Sequence, residues 1–115
     1  MPTRLKLILL AGMAVAVYAN TLGHGFVYDD SLWVVENPAL RDLRRMGDFF
    51  EGHEWYRPLA VLSLSLDYAL VGLRPWLYHA HNVLLHAAVT AVLFLLFRPL
   101  GETKAWLAAA LYAVL

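Results

Sequence analysis

Two adjacent carboxylates, Asp29 and Asp30, close the segment Gly25-Phe26-Val27-Tyr28-Asp29-Asp30, just past an apolar run. In extended chain, neighbouring side chains point to opposite sides, so at most one of the two faces a given pocket squarely. The other can hydrogen-bond the loop or hold the first in place. A carboxylate beside a membrane-facing cleft can act as a general base toward a hydroxyl. The plainer reading is a solvated acidic turn, and spacing alone favours it.

Tyr56-Arg57-Pro58-Leu59 places an arginine at a helix start. The planar guanidinium matches phosphate oxygens, so Arg57 could pair with a lipid phosphate. A snorkelling arginine at the membrane interface explains the same pattern. In Tyr78-His79-Ala80-His81-Asn82, with His86 beyond, the helical period puts His79, Asn82 and His86 on one polar stripe and turns His81 away. On an apolar helix such a stripe faces a bundle interior or a wet cavity. Hydrogen bonding between packed helices is the plainer use of it. A shared metal ion is the weaker reading, because seven residues of helix separate His79 from His86 by about 10.5 Å. No P-loop, nucleotide-binding glycine motif, zinc-ligand pair or Ser-His-Asp order occurs. No cofactor is therefore implied with certainty, and a divalent metal stays open.

The elements that must position these residues are mostly apolar. The chain of 115 residues is 61% hydrophobic and 16% charged. Soluble domains run near 45–50% and 25%. The excess sits in blocks near residues 5–19, 58–73, 76–97 and 105–115, which points to an all-α membrane protein. Zero net charge gives no nucleic-acid footprint, and the absence of cysteine excludes disulfides and thiolate chemistry.

Arg4 and Lys6 precede the uncharged apolar run 7–19, which, counted over 5–22, can just span a bilayer with the N-terminus in the cytoplasm. A cleaved signal peptide ending near Val17-Tyr18-Ala19 is the alternative. Residues 20–76 then form a long outer loop holding eight of the nine acidic residues. Within it, the residues around Asp29, Asp30 and Ser31 read as irregular chain. Asn37-Pro38 predicts the start of an amphipathic helix over 38–51, lying in the interface, with Leu40, Leu43, Met46 and Phe50 on one face. A second helix, 58–71, is short for a span and carries Asp67, so it is expected along the surface, with a true span as the alternative. A stronger span covers 76–98, with Trp76 and Tyr78 as an aromatic belt, and a third begins at 103–115. The last apolar run stops at Leu115, short of a spanning length, so a piece of a longer, multi-pass protein is expected.

Asn20-Thr21-Leu22, Gly25 to Asp30, and Asn37-Pro38 together resemble the first luminal loop of the transmembrane and tetratricopeptide-repeat (TMTC-type) O-mannosyltransferases. Tyr56-Arg57-Pro58-Leu59, Leu66-Asp67-Tyr68, Gly72-Leu73, Tyr78-His79, Asn82 and His86 continue the resemblance, which covers Asn20 to Leu115. It implies a multi-spanning helical bundle of the GT-C glycosyltransferase superfamily. It also implies a polyprenyl-phosphate sugar donor at the outer membrane face and a protein Ser or Thr acceptor. Asp29 or Asp30 would match the catalytic base. Arg57 would match a phosphate-holding position, and His79, Asn82 and His86 would match substrate-site positions that line the pocket or support it. The His-Pro segment expected soon after Tyr112-Ala113-Val114-Leu115, the later spans and the repeats are missing, so this piece alone is expected to be inactive.

The composition suggests a bacterial relative in the inner membrane. The partners implied are membrane lipid, the lipid-linked sugar and a protein, and no nucleic acid. A lipid or polysaccharide glycosyltransferase of the same architecture is one alternative. A non-enzymatic membrane-anchored repeat scaffold is another.

Overall fold

The computed structural model describes residues 1–26, 31–44, 47 and 57–115. Every regular element among the described residues is helical. They belong to two compact units: Met1–Gly23 with His79–Leu115, and His24–Tyr78.

In the first unit, α1 (Thr3–Tyr18) runs on into a 3-10 turn, Ala19–Gly23. The unit also holds all but the first turn of α3 (Pro75–Phe97), a 3-10 turn at Arg98–Leu100, and α4 (Glu102–Val114). Two stretches, Thr3–Gly23 of 21 residues and Pro75–Leu100 of 26, are long and apolar enough to cross a membrane. At 1.5 Å per residue they reach about 31 Å and 39 Å, against roughly 30 Å of hydrocarbon. Ile8 on α1, Leu84 and Leu96 on α3, and Leu111 on α4 are each at least 60% exposed. Such an exterior suits lipid and is costly in water.

α4 buries Ala105, Ala109 and Ala113, spaced one helical turn apart. Ala105 and Ala109 pack with Leu10 and Phe94, and Ala113 packs with Ala14 and Ala87. Small side chains let helix backbones approach closely and gain dispersion contacts where no hydrophobic drive exists. The pairings also set direction. Lys6 Nζ meets Glu102 Oε1 at 3.0 Å at one end, and Ala14 meets Ala113 toward the other. α1 and α4 therefore run parallel, and α3 runs against both.

The second unit is built on α2 (Pro58–Val71), which packs Val61, Leu64, Tyr68 and Val71 around buried Val34, Leu40 and Tyr78. Gly72 ends α2 at φ +64°, a backbone that side chains disfavour, and its N–H donates to the Tyr68 carbonyl at 2.8 Å. Its carbonyl accepts from the Tyr78 hydroxyl at 2.7 Å, tying the first turn of α3 to the end of α2. Fourteen residues make α2 about 21 Å long, so it is too short to count with the two spanning-length helices. Asp67 on it is only 5% exposed.

Two details differ from expectation. Ser31, expected in irregular chain, opens a π-helical turn, Ser31–Val35. The Asn37-Pro38 start does form: Asn37 Oδ1 accepts the Ala39 N–H at 3.1 Å, with Pro38 in the first turn. Asp42 interrupts the helix predicted over 38–51 just past that start, and Leu43 and Arg44 return to 3-10 geometry. A 3-10 turn, Pro38–Arg41, ends at Asp42, which is extended at φ −135°, ψ 100°. The Asp42 carboxylate accepts from the Arg44 backbone N–H at 3.0 Å and from its Nε at 3.1 Å. That local bond competes with helix formation, as short acidic side chains do. Residues 45–46 and 48–51, including Met46 and Phe50, lie outside the described residues.

Candidate functional site

Three of the residues singled out by type and spacing come together in the first unit. His79, Asn82 and His86 line one face of an open cleft of about 370 Å³. Val83 on α3 and, across from it, Tyr18 and Thr21 at the end of α1 complete the lining. The 3.6-residue repeat puts the three α3 side chains on one stripe, as the sequence indicated. His81 is not among the lining residues.

His86 is the most constrained of them. Its Nε2 lies 3.0 Å from the Ala113 carbonyl oxygen on α4. A carbonyl only accepts, so Nε2 carries the proton. The imidazole meets Tyr18 edge-on, with centroids 5.0 Å apart, and lies tilted against Tyr112 at 4.9 Å. One turn further along α3, Thr90 donates its hydroxyl to the His86 carbonyl at 2.9 Å. His86 thus joins α1, α3 and α4 as well as lining the cleft. The structural use of the stripe and the pocket use coexist in this residue.

Tyr18 and Thr21 carried no signal by themselves, although their spacing of three puts them on one face of the same helical segment. The Thr21 hydroxyl donates to the Tyr18 carbonyl at 2.6 Å, which holds the 3-10 turn at the end of α1. Among the described residues, no group of three or more His, Cys, Asp or Glu is placed to hold a metal ion.

Arg57 belongs to the second unit. It precedes Pro58 at the N-cap of α2, is exposed, and places its guanidinium carbon 5.8 Å from the centre of the Trp33 ring. That is a cation–π contact with a residue on the π-helical turn. Asp29 and Asp30 lie outside the described residues, as does Tyr56.

No family model matches the chain. No solved structure matches it. Among characterised proteins, it is 36% identical over 111 residues to Protein O-mannosyl-transferase tmtc2 of Xenopus laevis, covering 86% of the chain and 13% of that protein. It is 39% identical over 94 residues to Protein O-mannosyl-transferase TMTC2 of Homo sapiens, covering 71% and 11%. Protein O-mannosyl-transferase Tmtc1 of Drosophila melanogaster is 34% identical over 118 residues, covering 90% and 14%. The chain spans 11–14% of the length of these relatives. Over the stretch it shares with them, at 34–39% identity, the chain belongs to the TMTC family.

Proposed function

We propose that the whole protein is an inverting glycosyltransferase of the multi-spanning GT-C type, taking a sugar from a polyprenyl-phosphate carrier at the outer membrane face. The acceptor is a Ser or Thr hydroxyl on protein, and the sugar is mannose. The observation that carries this reading is the identity of 34–39% to proteins named for O-mannosyl transfer. Asp29 or Asp30 draws the proton from the acceptor hydroxyl. The hydroxyl oxygen then bonds to the anomeric carbon, and the lipid phosphate departs with the electron pair of the broken C–O bond. Attack from the side opposite the leaving phosphate inverts that carbon.

Arg57 answers the charge on the departing phosphate. Its exposure supports this role, as does its planar guanidinium, whose carbon lies 5.8 Å from the centre of the Trp33 ring. Trp33 follows Asp30 by three positions in the chain. α2 lies along the membrane surface in this reading, its 14 residues being too few to span. The N-terminus is cytoplasmic and the Asp29-Asp30 segment faces outward.

The test is sugar transfer by the full-length protein from a polyprenyl-phosphate mannose donor to a serine- or threonine-containing acceptor. Asp29→Asn with Asp30→Asn should lower kcat by about 10²-fold or more, the scale of a lost general base. Transfer unchanged in the double variant removes the pair as the base. Transfer to lipid or polysaccharide alone would point to the sister activity of the same architecture. Absence of any transfer would favour a scaffold.

A further inference from the structure

We propose that the first unit seats an anionic phospholipid at the end where Lys6 meets Glu102, with the phosphate on the basic side chains there and the first acyl carbons along Trp106 and Leu107. A second cleft, of about 270 Å³, opens at this end and is lined by Met1, Lys6, Glu102, Thr103, Trp106 and Leu107. Lys6 and Tyr18 are about 18 Å apart along α1, so this cleft is separate from the one that His86 lines. Its lining is graded. Lys6, Glu102 and Thr103 are polar, whereas Trp106 and Leu107 lie one turn further along α4, about 6 Å deeper in the bundle. A phospholipid has the same order, charged phosphate first and hydrocarbon next. Both spanning-length stretches also end here: Lys6 is near the start of Thr3–Gly23, and Glu102 follows closely on Pro75–Leu100. The cleft thus sits where headgroups give way to hydrocarbon, a level that tryptophan favours.

Charge selects the headgroup. Lys6 Nζ gives Glu102 Oε1 one hydrogen bond at 3.0 Å, and an ammonium has three donors to give. Arg98 Nε stands 4.0 Å from the same oxygen. Lys104, in the first turn of α4, meets no carboxylate among the described residues. Glu102 repels an anion, and these three cations outweigh it. Lys6 foremost, with Arg98, holds the Glu102 carboxyl below its ordinary range, which reports the same positive surround. Gly101 gives α4 no side-chain cap, so the first-turn N–H groups add partial positive charge at this end. The Trp106 indole N–H is buried without an acceptor among the described residues. An unmet buried donor is costly, and a glycerol-ester oxygen against the ring supplies the acceptor once the indole turns toward the cleft. A choline headgroup brings its own cation into this surround, so an anionic headgroup is preferred. The inference rests on the two stretches crossing a membrane and not on sugar transfer; a protein without transferase activity would keep the site.

Full-length protein in dodecyl maltoside, titrated with phosphatidylglycerol carrying brominated chains, tests this. Contact quenching of Trp106 is read as the difference between wild type and Trp106→Phe. Saturable quenching is expected. Phosphatidylcholine with the same chains should bind about five-fold more weakly, and Lys104→Gln should weaken phosphatidylglycerol about five-fold, the scale of one basic side chain at an anionic lipid. Arg4→Gln should match wild type, because Arg4 is at the same end but outside the lining. Lys104 and Arg4 are exposed, so both variants should fold. If Trp106→Phe does not fold, total quenching in those two variants carries the comparison. Equal affinity for the two lipids or no loss in Lys104→Gln overturns the site. An equal loss in Arg4→Gln also overturns it, in favour of diffuse surface charge. Displacement by inorganic phosphate or by glycerophosphoglycerol overturns the lipid as occupant, in favour of a soluble anion.

Discussion

The His86 Nε2–H donates to the backbone carbonyl of Ala113 across 3.0 Å, linking α3 to α4 between positions twenty-seven residues apart. The same imidazole packs against Tyr18 of α1 and Tyr112 of α4. A single side chain therefore meets α4 through both a hydrogen bond and a ring contact, and α1 through a ring contact.

Replacing it separates the two contributions. His86→Phe keeps a ring between the tyrosines and removes the hydrogen bond, so unfolding of the protein in mild detergent should cost about 0.6–1.5 kcal/mol less. His86→Ala removes the ring as well and should be clearly worse. Equal stability of His86→Phe and wild type, measured by steric trapping, would mean the bond adds nothing.

The alanine stripe of α4 makes a second prediction. Ala109 is fully buried against Leu10 and Phe94, whereas Ala108 beside it faces outward. Ala109→Leu has no space to enter and should destabilise the bundle by about 1–3 kcal/mol through overpacking. Ala108→Leu should change stability by less than about 0.5 kcal/mol. The pair is to be compared by the same unfolding assay, and matching values would contradict the close packing of α1, α3 and α4.

A third prediction concerns pH. The Lys6 ammonium, hydrogen-bonded at 3.0 Å, holds the Glu102 carboxyl below its ordinary value of 4.5, with Arg98 adding a smaller effect. A carboxyl depressed in the folded state contributes stability that is fully present above 4.5 and is lost as pH falls through the lower, folded value. The contribution is small because Glu102 is exposed and salt screens it. Carboxyl NMR of Glu102 should therefore titrate below 4.5, and Lys6→Met should move it back up. A titration already at or above that value in wild type would show that the pair does not form.

Local periodicity made much of the fold legible. The apolar runs placed the ends of α2, α3 and α4 within about two residues, and the 5–22 run matches α1 together with the 3-10 turn that follows it, because helix formation and length depend on neighbours three and four positions away. The Asn37-Pro38 start and the Gly72 stop were equally readable, since each acts through its own backbone. The break at Asp42 was not. The apolar spacing there suits a helix, yet the carboxylate of Asp42 takes the Arg44 N–H instead. Two local signals compete there, and the pattern alone does not rank them.

The candidate site divides in the same way. That His79, Asn82 and His86 share a stripe is readable from residue spacing, because one helix carries all three. What faces that stripe depends on how the helices pack. Tyr18 and Thr21 stand some sixty positions earlier, and they reach the cleft because α4's small alanines bring α1 and α3 together. Side-chain direction within a helix is set by its 3.6-residue turn, whereas the partner across a bundle is set by which surfaces can approach most closely.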